Sequence, residues 1–191
     1  MAIELKEVSK SFDGKHVLNA FSARVEEGQT VCLMGSSGCG KTTLLRILAG
    51  LTPPDSGSIL GMNGKKLSMV FQEDRLLENF TVWRNLKLTA QSKFTRADAE
   101  RALFAVGMEK SVLMQKVSLL SGGMKRRVAI LRALAADYDV LLLDEPTSGL
   151  DESNKNAVIA YIKEQCRGKN AFWVTHDENE AASAADIIWR L

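Results

Sequence analysis

Cysteine is scarce in this chain of 191 residues. Cys32, Cys39 and Cys166 are odd in number and form no C-x-x-C pair, which excludes a disulfide framework or a zinc ribbon and indicates reduced thiols. Long apolar runs are also missing, because no segment reaches the roughly 18 consecutive apolar residues that span a bilayer. The N-terminal residues alternate like a strand and lack the apolar core of a signal peptide. We therefore expect an intracellular protein.

Neither positive nor negative charge dominates, since 25 Lys and Arg residues stand against 23 Asp and Glu residues. The formal net charge of +2 does not favour nucleic acid as a partner, and no basic and aromatic array suggests one. The run Lys125-Arg126-Arg127 lies in a helix-like segment, where we expect a solvated face, with phosphate contact as the less favoured alternative. A content of 46% hydrophobic residues suits one globular protein with a sizeable core.

The most informative segment is a glycine-rich loop. Residues 35–42 read G-S-S-G-C-G-K-T and fit the phosphate-binding pattern G-x-x-x-x-G-K-[ST] between a strand-like run, 30–34, and a helix-like run, 43–49. Backbone N–H groups of such a loop and of the following helix start bind phosphate. Lys41 is expected to reach the β- and γ-phosphates, and Thr42 to bind Mg²⁺. The predicted nucleotide-binding residues of this segment are Gly35, Ser36, Ser37, Gly38, Cys39, Gly40, Lys41, Thr42 and Thr43.

A pair of carboxylates follows a second strand-like run. Residues 139–143 are mostly apolar and lead directly into Asp144 and Glu145. The carboxyl edge of a parallel sheet is where a P-loop ATPase presents an acid to Mg²⁺, so Asp144 is the predicted metal ligand. Glu145 is expected to accept a proton from the attacking water or to orient that water. It is therefore the predicted catalytic residue.

A third motif opens another helix-like segment. Residues 120–124 read L-S-G-G-M and precede residues 125–135, so Ser121 and two glycines stand at a helix N-terminus. This motif resembles the signature of the ATP-binding cassette (ABC) ATPases. The resemblance runs through the whole chain in the family's order: the phosphate loop, Gln72, the signature, Asp144-Glu145-Pro146, the D-loop at 148–151, and His176.

The resemblance implies an α/β fold of the P-loop NTPase type, with a RecA-like core, an antiparallel β subdomain and an inserted helical subdomain. Residues 1–191 would form a single ABC ATPase domain. Within it, 1–72 and 139–191 would supply the β subdomain and the core, and 73–138 the helical subdomain with the signature motif. The helical periodicity that begins at Thr81 agrees with this division, and the sequence contains no internal repeat.

The same resemblance implies that the ligands are ATP and Mg²⁺ and that two copies of the chain share them. Phe12 would stack on the adenine ring. Ser121, Gly122 and Gly123 would meet the γ-phosphate of an ATP whose phosphates contact Lys41 of the other copy. The two chains would therefore pair head to tail, with an ATP at each of two equivalent interfaces.

Two further residues receive roles from the resemblance. His176 would contact the γ-phosphate and help to hold the closed state, so it is counted among the catalytic residues. Gln72 would lie close to Mg²⁺ as a metal ligand and catalytic residue, and would couple the site to a membrane partner. Where most family members carry Gln at the end of the signature, this chain has Met124, which offers no hydrogen-bond donor. We expect ATP to be sandwiched nonetheless, with altered affinity.

The segments 71–77 and 81–86 resemble those of ATPases that serve importers for nitrate, sulfonate and taurine type substrates. This would place the chain at the cytoplasmic face of a bacterial membrane, bound to permease subunits and served indirectly by an extracytoplasmic substrate-binding protein. The alternative is the ATPase of a small exporter, a lipoprotein-release complex or a cell-division complex, which shares these motifs. A DNA-repair ATPase would carry a long coiled coil between phosphate loop and signature, and this chain has none there.

Overall fold

The structure is a computed structural model and describes residues 2–191. The chain forms two compact units. The first contains the residues up to Met69 together with Asp139–Asp144 and Cys166–Leu191, and the second contains Val70–Tyr138 and Glu145–Gln165. Met1, the first residue of the predicted domain, lies outside the described residues.

An antiparallel sheet of the first unit contains β1 (Ile3–Phe12), β2 (Lys15–Val25) and β4 (Ser56–Leu60), in the order β2-β1-β4. The turn between β1 and β2 is Asp13-Gly14, where both residues have positive φ, +48° and +77°. Two central residues of this kind form the type I′ turn whose twist matches that of a hairpin. This Asp-Gly turn therefore closes the hairpin of β1 and β2.

A second sheet contains five strands within residues 2–191, in the order β5-β6-β7-β3-β8. These strands are β3 (Thr30–Met34), β5 (Leu67–Val70), β6 (Val140–Asp144), β7 (Asn170–Val174) and β8 (Ile187–Arg190). The pairs β6–β7, β7–β3 and β3–β8 are parallel. Because carboxyl ends of parallel strands share one edge, the residues that follow β3, β6 and β7 lie along that edge.

The first unit also contains α1 (Lys41–Leu48) and α6 (Glu178–Ala184). The buried face of α1 belongs to a single apolar cluster with residues of both sheets. Members of this cluster include Ile3, Leu5, Leu33, Leu44, Leu45, Leu142, Phe172 and Trp189. This packing fixes the start of α1 against the end of β3, which is the position of the glycine-rich loop.

The second unit is mostly helical. Its helices are α2 (Val82–Lys87), α3 (Arg96–Ala105), α4 (Gly122–Leu134) and α5 (Glu152–Gln165), with short 3-10 helices at Lys110–Met114 and Val117–Leu119. A capping box starts α3, because the Thr95 hydroxyl accepts from the Asp98 N–H and the Asp98 carboxylate accepts from the Thr95 N–H. Among the described residues, no helix has the length and apolar content needed to cross a membrane. The predicted α/β class is confirmed.

The predicted solvated face at residues 125–127 is wrong for two of its three residues. Arg126 and Arg127 are buried on α4, with 4% and 7% of their surface exposed. Their guanidinium groups hydrogen-bond to backbone carbonyls of distant loops. Arginine tolerates such burial because its planar fork can satisfy several acceptors at once. Only Lys125, which pairs with the exposed Glu78 at 2.7 Å, lies toward solvent.

Candidate functional site

The glycine-rich loop connects β3 to α1 as the sequence predicts. The side chain of Lys41 turns back over the loop, where its Nζ donates to the carbonyl oxygens of Gly35 and Ser36, each at 2.8 Å. Helix α1 begins after Gly40, which provides no side-chain cap. The N–H groups of its first turn therefore point into the loop without competition from a capping side chain, the arrangement that binds an anion.

Gly40 is required by the backbone at this point. Its φ is +108°, and a Cβ there would lie 2.7 Å from the carbonyl oxygen of Val17 and 2.9 Å from Cδ2 of Leu18. Both neighbours belong to β2, whose backbone cannot yield without disturbing the hairpin. Any other residue would thus be strained and would collide, which keeps the loop tight where phosphate would bind.

Asp144 and Thr42 are brought into contact. Asp144 ends β6 and is 3% exposed. Its Oδ1 accepts from the Thr42 hydroxyl at 3.1 Å, which joins the end of β6 to the first turn of α1. A carboxylate and a hydroxyl placed together are the hard oxygen donors that suit Mg²⁺, which otherwise keeps waters and phosphate oxygens as ligands. The residues present therefore fit a magnesium nucleotide.

Glu145 follows Asp144 directly and has an unusual backbone conformation. Its φ is +46°, in the left-handed region that residues other than glycine rarely occupy. Its carbonyl oxygen accepts from Nη2 of Arg126 at 2.7 Å. Strained backbone of this kind persists where surrounding contacts hold it, and it is enriched at functional sites. No feature of the sequence signals this conformation.

Gln72 and the signature residues also lie in the second unit. The Gln72 side chain is exposed, and the backbone carbonyl oxygen of Gln72 accepts from Nη1 of Arg126 at 3.2 Å. Ser121 is the N-cap of α4, with its Oγ accepting from the Met124 N–H at 3.3 Å. Ser121 and Gly122 are exposed, so this helix start is open. Arg126 thus brings together the backbones of two predicted residues, Gln72 and Glu145.

His176 is exposed after β7, on a turn held by a residue that sequence analysis missed. Glu180, 4% exposed, accepts from the Thr175 hydroxyl and from Nε1 of Trp173, each at 2.8 Å. The Thr175 hydroxyl in turn accepts from the Asp177 N–H at 3.1 Å. A carboxylate in the first turn of a helix is usually solvated, so the sequence gives no sign of this role. Only the hydrogen bonds to Trp173 and Thr175 show that Glu180 orients the His176 turn.

Phe12 and Cys39 complete the predicted set. Phe12 ends β1 with 48% of its surface exposed, and Nζ of Lys10 lies 5.5 Å from its ring centroid.

Cys39 is partly buried, with its Sγ 3.7 Å from Nζ of Lys41. The other two cysteines are buried, and burial, aided by the charge of Glu180, raises the pKa of the Cys32 thiol to about 12. Cys39 is therefore the most exposed of the three thiols.

The glycine-rich loop joins a parallel strand to a helix and carries a lysine folded over it, and a carboxylate ends another strand of the same sheet. Together these features define a P-loop nucleoside triphosphatase. The profile of the ABC transporter family matches residues 18–148, and the chain belongs to that family. It is therefore an ATP-binding protein and an ATPase. The family resemblance stated from the sequence is confirmed.

Known proteins resemble the chain over nearly all its length. An aliphatic sulfonates import ATP-binding protein of Paraburkholderia xenovorans is 40% identical over 190 residues, which are 98% of this chain and 76% of that protein. A spermidine/putrescine import ATP-binding protein of Mycoplasma capricolum is 37% identical over 97% of this chain and 57% of that protein. The dimeric, post-hydrolysis structure of the ATP-binding cassette MJ0796 with ADP and Pi has a TM-score of 0.85 at 28% identity, covering 99% and 94% of the two chains.

Proposed function

We propose that this chain is the ATP-hydrolysing subunit of an importer and that two copies clamp two ATP molecules to drive a separate membrane permease. The observation that carries the proposal is the contact between Thr42 and Asp144 beside the uncapped start of α1. The relatives' names as import ATP-binding proteins support the direction of transport, and a dimeric cassette of the same fold supports the pairing of two copies.

The first half of the proposed site lies in the phosphate loop. The loop N–H groups and Lys41 would bind the phosphates, and the exposed ring of Phe12 would stack on the adenine. Thr42, Asp144 and Gln72 would hold Mg²⁺. The metal supplies charge neutralisation at the phosphates when bound. Lys41 already has its amino group inside the loop, so little rearrangement is needed for it to donate to a phosphate instead of the Gly35 carbonyl.

Glu145 is the proposed catalytic residue. It is joined to Asp144 by one peptide bond, and its left-handed backbone ends the extended course of β6. Its carboxylate would accept a proton from the attacking water or hold that water in line. His176, exposed on the turn that Glu180 fixes, would donate to the γ-phosphate. Gly35 to Thr43 would bind the nucleotide without taking part in the proton transfer.

The second half of the proposed site comes from the other copy. Ser121, Gly122 and Gly123 start α4 with an open end, and a helix start attracts an anion. They would meet the γ-phosphate of the ATP that Lys41 of the partner copy contacts. Such a head-to-tail pair is closed and two-fold symmetric, so it contains two equivalent composite sites. Loss of the γ-phosphate would remove the shared anion and open the pair.

The permease would dock beside Gln72. Leu77 and Phe80, in the segment that follows Gln72, are 43% and 41% exposed, so this segment offers apolar side chains to a partner. We place the chain at the inner face of the membrane through this contact, with an extracytoplasmic protein delivering the substrate. Sulfonates are anions and polyamines are cations, yet relatives named for each match this chain similarly. Substrate choice would therefore rest with the permease and the delivering protein.

A mixing experiment tests the composite site. Lys41→Ala disables the phosphate loop, and Gly122→Asp places a carboxylate against the γ-phosphate. A Cβ at Gly122 meets nothing within 4 Å, and a carboxylate suits a helix start, so this variant should fold. Each variant alone should be inactive. An equimolar mixture should regain about a quarter of the wild-type sites, because about half of randomly paired dimers contain one intact site.

The readouts are ATP hydrolysis and the mass of the complex formed on addition of ATP. Ala97→Asp serves as a control, since Ala97 is an exposed residue in the first turn of α3, where a carboxylate also suits a helix start. An equimolar mixture of Lys41→Ala with this control should contain about half of the wild-type sites, because only the phosphate loops of the Lys41→Ala copies are disabled. A mixture of Lys41→Ala and Gly122→Asp that stays as inactive and monomeric as its components would refute the shared site.

Alkylation of Cys39 provides a second test of ATP binding. A maleimide adduct at Cys39 would fill the loop beside Nζ of Lys41, so labelled protein should not bind ATP. Bound ATP should in turn slow labelling by about tenfold or more. Peptide mass spectrometry would measure both, with the buried Cys32 and Cys166 as internal references that stay unlabelled in the folded chain. Equal labelling rates with and without ATP would contradict this arrangement.

A further inference from the structure

Arg126 has no role in the motifs above, yet its guanidinium donates to the backbone carbonyls of two predicted site residues, Gln72 and Glu145. It lies one turn into α4 and is 4% exposed. Its Nε donates to the Pro146 carbonyl at 2.9 Å, and its Nη2 donates to the Glu145 carbonyl at 2.7 Å. One guanidinium thus binds the two carbonyls that follow Asp144.

The same guanidinium reaches the segment of Gln72. Nη1 donates to the carbonyl of Phe71 at 2.6 Å and to that of Gln72 at 3.2 Å, and it lies 3.2 Å from Oδ1 of Asp74. Asp74 supplies a counter-charge for the buried cation. All of these partners belong to the second unit. Arg126 therefore joins the Gln72 segment, the Glu145 turn and the signature helix through a single side chain.

The contact with Glu145 is the most informative of these. A left-handed backbone at a residue other than glycine is unfavourable and relaxes unless neighbouring groups hold it. The Glu145 carbonyl and the next carbonyl, of Pro146, both point at the guanidinium. A planar fork with five N–H donors can hold both carbonyls and the Gln72 segment together, whereas a lysine ammonium is a single point with three donors.

We propose that Arg126 is a positioning residue for hydrolysis, which holds the strained backbone of Glu145 at a fixed distance from the Gln72 segment. The inference rests on the proposed catalytic role of Glu145. In the proposed site Arg126 contacts neither the nucleotide nor the attacking water. It acts by keeping the Glu145 carboxylate directed at the attacking water. Because Arg126 belongs to α4, movement of the signature helix would be transmitted to the Gln72 segment and to the Glu145 turn.

The test compares kcat and KM for ATP in the full chain. Arg126→Gln, which keeps only two donors, should lower kcat by about tenfold or more and leave KM within about twofold, because nucleotide contacts are intact. Arg126→Lys should fall between this variant and wild type. It also guards against misfolding of the first variant. In a Glu145→Gln background, adding Arg126→Gln should change the residual rate of hydrolysis by less than about twofold, because the carboxylate that Arg126 positions is absent.

Arg127→Gln is the matched control. Arg127 is the next residue of α4 and is similarly buried, but its Nη1 binds Val106, Gly107 and Asn154. It should lose thermal stability like Arg126→Gln and keep kcat within about twofold. Equal kcat losses in the two variants, or independent losses in the Glu145→Gln background, would overturn the inference. An inactive Glu145→Gln beside a fully active Arg126→Gln would refute this inference alone, whereas an active Glu145→Gln would refute the proposed role of Glu145 as well.

Discussion

Glu145→Gln is expected to lower kcat for ATP hydrolysis by about 100-fold or more, because the amide cannot accept a proton from water. Gln has the same shape, and the backbone contact of Glu145 with Arg126 uses the carbonyl oxygen, which the substitution retains. The dissociation constant for ATP should therefore change by less than about threefold. The ATP-bound pair of chains should accumulate, and the mass of the complex in the presence of ATP would measure it.

Glu152→Gln is the matched control for this result. Glu152 is an exposed acid in the first turn of α5, a few residues further along the chain. Its loss removes the same charge, so any effect of net charge on ATP affinity would be seen in both variants. Only Glu145→Gln should stop hydrolysis and trap the pair. A Glu145→Gln protein that hydrolyses ATP at the wild-type rate would exclude Glu145 as the general base.

Local sequence patterns predict those helices and strands whose bounds are determined by their own residues. The strand, loop and helix around Lys41 are found at Thr30–Met34 and Lys41–Leu48, because apolar runs and glycine positions determine them locally. The helix opened by Ser121 begins at Gly122, where the Ser121 hydroxyl caps it. Parallel strands then bring Asp144 to Thr42, a long-range contact that the motif spacing anticipates.

The contacts of the buried arginines could not be predicted in this way. Arg126 and Arg127 bind backbone carbonyls, and every residue has a carbonyl, so the acceptors carry no signature in the sequence. A run of cationic residues on a helix is therefore predicted to be exposed to solvent unless the positions of the surrounding loops are known. The same reasoning applies to the φ of +46° at Glu145, which tertiary contacts impose on a residue type that does not prefer it.

Asp144→Asn is expected to raise the Mg²⁺ concentration for half-maximal hydrolysis by about tenfold or more and to lower kcat by about 100-fold. Asp144 is buried, and its Oδ1 accepts from the Thr42 hydroxyl at 3.1 Å. The amide oxygen of Asn can keep that hydrogen bond, so the sheet and α1 should be undisturbed. What is lost is the negative charge that a divalent cation requires beside the phosphates. Titration of activity with Mg²⁺ at fixed ATP measures the shift.

Thr42→Ser separates the two partners of this contact. Serine keeps the hydroxyl, so the Mg²⁺ dependence of Thr42→Ser should stay within about threefold of that of the wild type.

Removal of Mg²⁺ by a chelator should stop hydrolysis by the wild type. Part of the protection of Cys39 by ATP should remain, because Lys41 and the loop N–H groups bind phosphate without metal. If Asp144→Asn kept the wild-type Mg²⁺ dependence, Asp144 would hold α1 through Thr42 and would not be a metal ligand.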